Sequence, residues 1–408
     1  MTPDASATLD GILQGQRLEA LLACDANVVS YDPDEFFSVV FRCRGRNSNL
    51  IAKPLAIFVL WSAAWGIFFE VVPTARGQVS DADLISPLLT PVSFLLVFRL
   101  GRAAVRYWDA RAAAGKLVET CRTLASTGIV GCNHDVSIQC DIARWACVMP
   151  VVVKSFVRPV PLQHCHMDAP ALLAYKRHEL GGLLTDDEAS RVLDDNSYGP
   201  ITALTSLRAV AVRAAAAPPD GCGGLTAAAR AQLYKHLNEQ IDTLTGAWGA
   251  MERVNATPLP FAYVAHLRTF LLLYLHLWAV EALARHAWAS VPVILLASFA
   301  LLGIEAAAVD CERPFRGTTN HLALGKMCVV VARNVAQTLR HATNAPLLPA
   351  AGGGAGGGGG GGGDPTVKSP NRDDARVRAA LNVRTGSGRV GTSTADFELL
   401  AVASGPLE

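Results

Sequence analysis

Four stretches of the sequence carry almost no charge, and they constrain the fold more than any other feature. They are PLAIFVLWSAAWGIFF (54–69), LISPLLTPVSFLLVF (84–98), LPFAYVAHLRTFLLLYLHLWAV (259–280) and AWASVPVILLASFALLGI (287–304). Three of them reach or approach the roughly 20 residues that a membrane-spanning helix needs. The second is shorter and contains two prolines, which a membrane helix tolerates where protein covers it. We therefore predict two pairs of membrane helices, at about 52–74, 84–108, 259–284 and 287–309.

Composition agrees with a membrane protein. Of the 408 residues, 51% are hydrophobic and 17% are charged, whereas ordinary soluble domains contain about a quarter charged residues. Buried helices of a soluble protein remain the alternative for any single apolar stretch. The formal net charge of +1 offers no strongly basic surface, so nucleic acid is not expected as a partner.

The region between the two pairs, at about 110–255, is more polar and has helical periodicity. Within residues 136–158, bulky side chains recur at helical spacing: Ile138, Ile142, Trp145, Val148 and Val152. Residues 226–254 predict a long amphipathic helix capped by Thr226. The predicted fold class is all-α, a polytopic membrane protein with four transmembrane helices per subunit. Long helices are expected to continue from the membrane into a helical cytosolic or stromal domain.

Both ends of the chain are predicted to lie outside the main domain, which we place at 36–345. Residues 1–35 are expected to be partly disordered, and they have neither the pattern of a signal peptide nor that of a clear transit peptide. Residues 346–408 contain an oligoglycine linker. The polar tail that follows it is expected to be disordered.

The sequence contains no recognisable motif for a metal site or for catalysis. Its ten cysteines form no CxxC pair. The HCH triplet at 164–166 is short and has no partner ligands at a metal-binding spacing. A P-loop and a GxSxG motif are both missing from the sequence. We therefore expect no catalytic residues, no metal and no cofactor.

One stretch, TPVSFLLVFRLGRAAVRYWDAR (90–111), begins as an apolar helix and continues as a cationic one. Thr90, Phe94 and Phe98 are spaced i, i+4 and i+8, which puts them on one helix face. Three arginines follow within the next two turns: Arg99, Arg102 and Arg106. A helix that faced lipid on all sides would gain nothing from these arginines.

Several stretches, in order, resemble the bestrophin family of anion channel-forming proteins, and its plant, algal and bacterial branch more than its animal branch. They are FRCRGRNSNLI (41–51), SFLLVFRLGRAAVRYWDARAAAGKLV (93–118), ATPLPFAYVAHLRTFLLLY (256–274) and LLGIEAAAVDCERPF (301–315). Together they cover most of residues 35–340, and four stretches in register form a specific signal.

The resemblance implies a homopentamer around one central pore that conducts chloride, often with bicarbonate and other small monovalent anions. The second membrane helix would line a hydrophobic neck, with Thr90, Phe94 and Phe98 at the neck positions. Rings of phenylalanine can close a pore by dewetting. The electropositive edges of the rings tolerate a passing anion. Thr269 falls near the family's second, cytosolic constriction.

The sequence leaves the role of the nearby cations open. Arg99, Arg102 and Arg106 either pair with acids of neighbouring helices or contribute to the anion potential of the pore. His266 and Arg268 in the third helix are either packed and hydrogen-bonded or help to hold an anion in the vestibule.

A calcium clasp is not expected. Animal bestrophins have a run of acids that helps to bind calcium, and here Arg316, Thr318, Thr319 and Asn320 stand in its place. Calcium needs several oxygen ligands, usually including carboxylates. Asp310 and Glu312 are expected to pair with basic residues instead.

Two other functional classes stay open from the sequence. One is a membrane scaffold that has the bestrophin fold but does not conduct, and the other is a soluble or peripheral enzyme. For the channel, related algal proteins suggest the plasma membrane or the chloroplast thylakoid membrane as the location. The lipid bilayer and further copies of the chain would then be its main partners.

Overall fold

The fold is all-helical throughout the part of the chain that the structure describes. This computed structural model describes residues 5–29, 31–32, 34–42, 45, 48–80, 85–132, 135–158, 167–194, 198–216, 225–316 and 320–344. No strand occurs in these ranges, and the all-α prediction is confirmed. The predicted linker and tail at 346–408 lie outside the described residues, as does the HCH triplet.

Fourteen α-helices occur in the described ranges. The first seven are α1 (Ala5–Ile12), α2 (Gly15–Ala23), α3 (Phe36–Phe41), α4 (Ser48–Val71), α5 (Pro73–Ser80), α6 (Leu89–Gly131) and α7 (Val136–Val157). The others are α8 (Ala169–Leu180), α9 (Asp186–Leu193), α10 (Gly199–Ala215), α11 (Ala227–Ala256), α12 (Phe261–His286), α13 (Val291–Glu312) and α14 (Leu324–Asn344). Short 3₁₀ turns precede α6 and α13, at Ser86–Leu88 and Ala287–Ser290.

The buried apolar side chains form two separate clusters. The first, here called the membrane cluster, is built from α4, α6, α12 and α13 and includes Phe58, Leu96, Leu271 and Leu302. The second, the soluble cluster, contains buried residues of α1, α2, α6, α7, α10, α11 and α14. Each cluster therefore holds together one layer of helices.

Helix α6 connects the two clusters. Val92 and Leu96 lie in the membrane cluster, whereas Ala110 and Leu117 lie in the soluble cluster. The 43 residues of α6 span about 65 Å at the rise of an α-helix. A single helix thus extends from the predicted neck residues in the layer of the membrane cluster into the layer of the soluble cluster.

The two helices predicted in the soluble region begin at well-defined caps. The Asp135 side chain accepts hydrogen bonds from the backbone N–H groups of Ser137 and Ile138 at the start of α7. Thr226 caps α11 by accepting from the N–H of Ala229 at 3.2 Å, as predicted. Such caps satisfy backbone donors that a helix leaves unpaired at its first turn.

Three segments of the described chain are long and apolar enough to cross a membrane: Leu50–Val71, Val136–Val157 and Phe261–Glu312. The last contains both α12 and α13. Within Val136–Val157, 83% of the most apolar stretch is buried inside the protein, compared with 22% of the corresponding stretch in each of the other two segments. Helix α7 is therefore the centre of the soluble cluster, although its hydropathy matches that of a membrane helix.

The second predicted membrane helix, at 84–108, is not among these three segments. Its helix begins only at Leu89, and Arg99, Arg102 and Arg106 interrupt the apolar run soon afterwards. Neither of its two prolines lies in the middle of the helix: Pro87 is in the 3₁₀ turn and Pro91 is in the first turn of α6. At a helix start proline removes no hydrogen bond, because those N–H groups have no partner within the helix.

The N-terminal segment, which we expected to be partly disordered, contains the helices α1 and α2. Ile12, Leu18 and Leu21 of these helices are almost completely buried in the soluble cluster. Short helices are marginal on their own, so their stability comes from packing against the rest of the fold. Sequence periodicity over so few residues did not reveal that packing.

Candidate pore face and arginine cluster

The three candidate neck residues lie on an uncovered face of α6. Thr90 is exposed, and the side chains of Phe94 and Phe98 are 60% and 62% exposed in the single subunit. The two phenyl rings lie side by side, with their centroids 6.5 Å apart. The opposite face of the same turns carries Val92 and Leu96, which are buried in the membrane cluster. In the described part of the chain, two large aromatic side chains on this face therefore remain more than half exposed.

Arg99 directly follows Phe98 but lies on the buried side of α6, where its side chain is fully buried. Its Nε donates to Glu305 Oε2 at 3.3 Å, and its Nη2 donates to Glu312 Oε2 at 2.6 Å. Both carboxylates belong to α13, where a spacing of seven residues places them on one face. The ion pairs connect α6 to α13 in a region where an unpaired charge would be strongly unfavourable.

A second arginine completes this group of charges. Arg268 on α12 is about half exposed, and its Nε donates to Glu305 Oε1 at 2.8 Å. Glu312 uses its other oxygen to accept from the N–H of Leu259 at 3.2 Å. We call Arg99, Arg268, Glu305 and Glu312 the Arg99 cluster. Two guanidinium groups face two carboxylates, so its formal charge is balanced.

The other two arginines of α6 have different surroundings. Arg106 donates from Nε to the backbone carbonyl of Glu312 at 2.9 Å and from Nη2 to the carbonyl of Val254. Arg102 is exposed and forms no ion pair with any residue that the structure describes. Of the three, Arg102 alone combines exposure with an unpaired charge.

The remaining site candidates lie on α12. His266 is exposed and its ring stacks on Phe270 with centroids 6.0 Å apart. Thr269 is also exposed, and it lies between Leu267 and Leu271 of the membrane cluster. The structure thus leaves the Thr269 side chain exposed on α12, and its place at a second constriction stays a prediction.

Glu305 contacts two arginines of this site and was not among the residues predicted from the sequence. A signal was available, because Glu305 is a lone acid that directly follows an uncharged apolar run. Acids in such runs face the protein interior and pair with basic residues. The seven-residue spacing to Glu312 would have placed both carboxylates on the same helix face.

The structure describes only part of the stretch that stands where animal bestrophins have their calcium-binding acids. Glu312 pairs with Arg99, and Asp310 accepts from the side-chain amide of Asn320 at 2.7 Å. We expected a basic partner for Asp310, and the structure gives it an amide that also donates to the carbonyl of Gly45. Thr318 and Thr319 lie outside the described residues.

Two further buried polar groups stabilise the soluble layer. Arg158 donates to Asp25, to the carbonyl of Phe315 and to the carbonyl of Leu322, at 3.3, 2.9 and 2.9 Å. Lys154 forms an ion pair with Glu179, and both are almost completely buried. The pKa of the Lys154 ammonium is raised: burial alone would lower it, and the Glu179 carboxylate more than offsets that effect. The Lys154 ammonium is therefore charged at neutral pH.

The sequence profile of a family described as "Bacterial/Fungal Bestrophin protein" matches residues 27–337. A voltage-dependent anion channel-forming protein of Nostoc is 27% identical over 304 residues, covering 74% of this chain and 90% of the relative. A protein of the same description from Synechocystis is 26% identical over 323 residues, covering 76% of this chain and 94% of the relative. The match extends over nearly the whole described region.

Solved structures of bacterial bestrophin homologues have a fold similar to that of this chain. A crystal structure of a bacterial bestrophin homologue from Klebsiella pneumoniae superimposes with a TM-score of 0.57 at 20% identity. Another variant of that homologue gives a TM-score of 0.55 at 23% identity. Each comparison covers 71% of this chain and 98% of the solved chain.

Proposed function

This chain belongs to the bestrophin family and is a membrane protein, and on that premise we propose that it is an anion channel. In this proposal a homopentamer surrounds one central pore that conducts chloride, bicarbonate and other small monovalent anions. The observation that carries it is the uncovered face of Thr90, Phe94 and Phe98 on α6. Large exposed apolar side chains mark a surface that another molecule covers or that performs a function.

Fivefold symmetry would convert this face into three stacked rings. Rings of Phe94 and Phe98 would form a narrow apolar neck, which can stop conduction by dewetting. The electropositive edges of the phenyl rings favour anions over cations. The ring of Thr90 supplies hydroxyl groups and would make that end of the neck easier to wet.

We further propose separate roles for the nearby cations. Arg99 and Arg106 hold α6 against its neighbours, because their hydrogen bonds are made to Glu305, Glu312 and backbone carbonyls. Arg102 is exposed and contributes positive potential along the anion path. Arg268 pairs with Glu305 and His266 stacks on Phe270, so both have structural roles. Thr269 would line a second constriction on α12.

Four helices would cross the membrane in each subunit: α4, α12, α13 and the first part of α6. That part of α6 is too short for a lipid-exposed span, and in a pentamer the neighbouring subunits would cover it. The membrane itself is proposed to be the plasma membrane or the chloroplast thylakoid membrane.

Anion flux from purified protein in liposomes tests the function directly. Vesicles loaded with chloride are expected to release it after a counter-ion pathway is opened, and bicarbonate should substitute for chloride in the external buffer. Protein-free vesicles provide the control. A correctly assembled protein that releases neither anion would show that the bestrophin fold serves here as a scaffold without conduction.

The proposed pentamer predicts the mass of the purified particle. In mild detergent the particle is expected to have about five times the mass of the chain, because the exposed faces of α6 and its short apolar segment need neighbouring subunits. Light scattering coupled to size-exclusion chromatography measures this mass independently of the detergent. A stable monomer or dimer would contradict the pore proposal.

We also propose that calcium does not activate the channel, since the acids of the animal calcium site are replaced here and Glu312 is occupied by Arg99. Currents in planar bilayers are expected to stay within about twofold between a calcium chelator and micromolar calcium. A steep activation by calcium would reveal ligands elsewhere in the chain.

A further inference from the structure

A cavity of about 450 Å³ lies where the ends of several helices meet. Its walls come from Arg106 of α6, the ends of α7 and α11, and the segment that follows α13. Val157 and Phe315 belong to the soluble cluster, whereas Glu312 belongs to the Arg99 cluster. The cavity therefore lies between the two layers of the fold.

The charged groups around this cavity are mostly guanidinium groups. Four arginines line it, Arg106, Arg158, Arg313 and Arg316, together with one acid, Glu312. The Glu312 carboxylate is already bound by Arg99, and the charge of Arg158 is matched by Asp25. Among the described residues, Arg106 donates its hydrogen bonds to the backbone carbonyls of Glu312 and Val254.

Arg313 and Arg316 are the cations available to a ligand. Both are exposed, and neither forms an ion pair with a residue in the described ranges. They flank Pro314 and Phe315, which are buried, so their positions are fixed by a packed segment. With Arg106, three guanidinium groups that form no ion pair with a described residue surround one concave space.

From this geometry we propose that the cavity binds a phosphate group, supplied either by a free phosphate compound or by the headgroup of an anionic lipid. Several guanidinium groups match a phosphate because each can donate two parallel hydrogen bonds to its oxygens. A volume of about 450 Å³ is within the range of small-molecule sites and much larger than one chloride ion needs. The cavity lies between the two layers of the fold. If α12 and α13 span the membrane, the headgroup of a lipid beside them can reach it. The proposal concerns binding and does not depend on conduction.

Two probes distinguish the sources of the phosphate. Pyrophosphate is titrated into the detergent-purified full chain by calorimetry in low-chloride buffer. Phosphatidic acid and phosphatidylcholine are compared by native mass spectrometry of the same preparation. The test variant is the double substitution Arg313→Gln and Arg316→Gln. The control variant is Arg191→Gln with Arg208→Gln, two exposed arginines that do not line the cavity.

We expect the test variant to bind at least one probe about tenfold more weakly than the unmodified chain, which corresponds to about 1.4 kcal/mol. The control variant should bind as the unmodified chain does. A change limited to pyrophosphate indicates a free phosphate ligand, and a change limited to phosphatidic acid indicates a lipid headgroup. The proposal is overturned if neither probe binds, or if both bind equally well to the test and control variants. Equal melting temperatures of the two variants exclude a folding defect as the cause.

Discussion

Replacing Arg99 with methionine is expected to prevent the protein from folding stably in detergent. Methionine cannot pair with the carboxylates of Glu305 and Glu312, which Arg99 now contacts from a completely buried position. Breaking a buried ion pair by removing one partner costs about 3–5 kcal/mol. That loss is a large part of the stability of a typical protein domain. Fluorescence-detected size-exclusion chromatography and a thermal melt would measure it.

The chain supplies a matched control for this substitution. Arg102→Met removes an arginine from the same helix, three residues away, where the side chain is exposed. It is expected to leave the melting temperature nearly unchanged. If Arg99→Met and Arg102→Met melt at the same temperature, the Arg99 cluster does not hold α6 to α13.

A combined variant separates the loss of the ion pairs from a simple loss of packing. Adding Glu305→Gln and Glu312→Gln to Arg99→Met removes the unpaired charges, and neutral replacement of a whole buried ion cluster is often tolerated. Folding is therefore expected to recover in large part. Arg268 then loses a partner, but it is half exposed and remains hydrated.

The sequence predicted those parts of the fold that depend on local pattern. The helix capped by Thr226 begins where its cap and periodicity indicate. The i, i+4, i+8 spacing was enough to place Thr90, Phe94 and Phe98 on one face of α6. Such features depend on a few neighbouring residues, and a single sequence contains them completely.

Features that depend on distant partners could not be predicted in the same way. Val136–Val157 and Leu50–Val71 both qualify as membrane spans by length and hydropathy. Only packing against other helices shows that α7 is covered by protein on nearly all sides. Likewise, Arg99 forms its ion pair with Glu305, which lies more than 200 residues away in the sequence and could not be identified as its partner from local pattern.

Replacing Phe98 with alanine is expected to increase the current of each assembled channel. In the single subunit the Phe98 side chain is 62% exposed, so shortening it leaves no large cavity in the membrane cluster. In the proposed pentamer, one substitution widens a complete ring of the neck. A wider and less apolar constriction is easier to wet, and the barrier to anions falls.

Leu96→Ala is the matched control, because Leu96 lies two residues earlier on α6 and is buried in the membrane cluster. That substitution is expected to destabilise the subunit by about 2–5 kcal/mol and to give poorly assembled protein without increased current. Single-channel recording in planar bilayers measures the current, and light scattering verifies the mass of each particle. If Phe98→Ala reproduces the Leu96→Ala result, with lost assembly and no gain of current, Phe98 packs within the protein and does not form the neck. If the Phe98→Ala particle is intact and conducts more than the unmodified channel, the uncovered face of α6 lines the anion path.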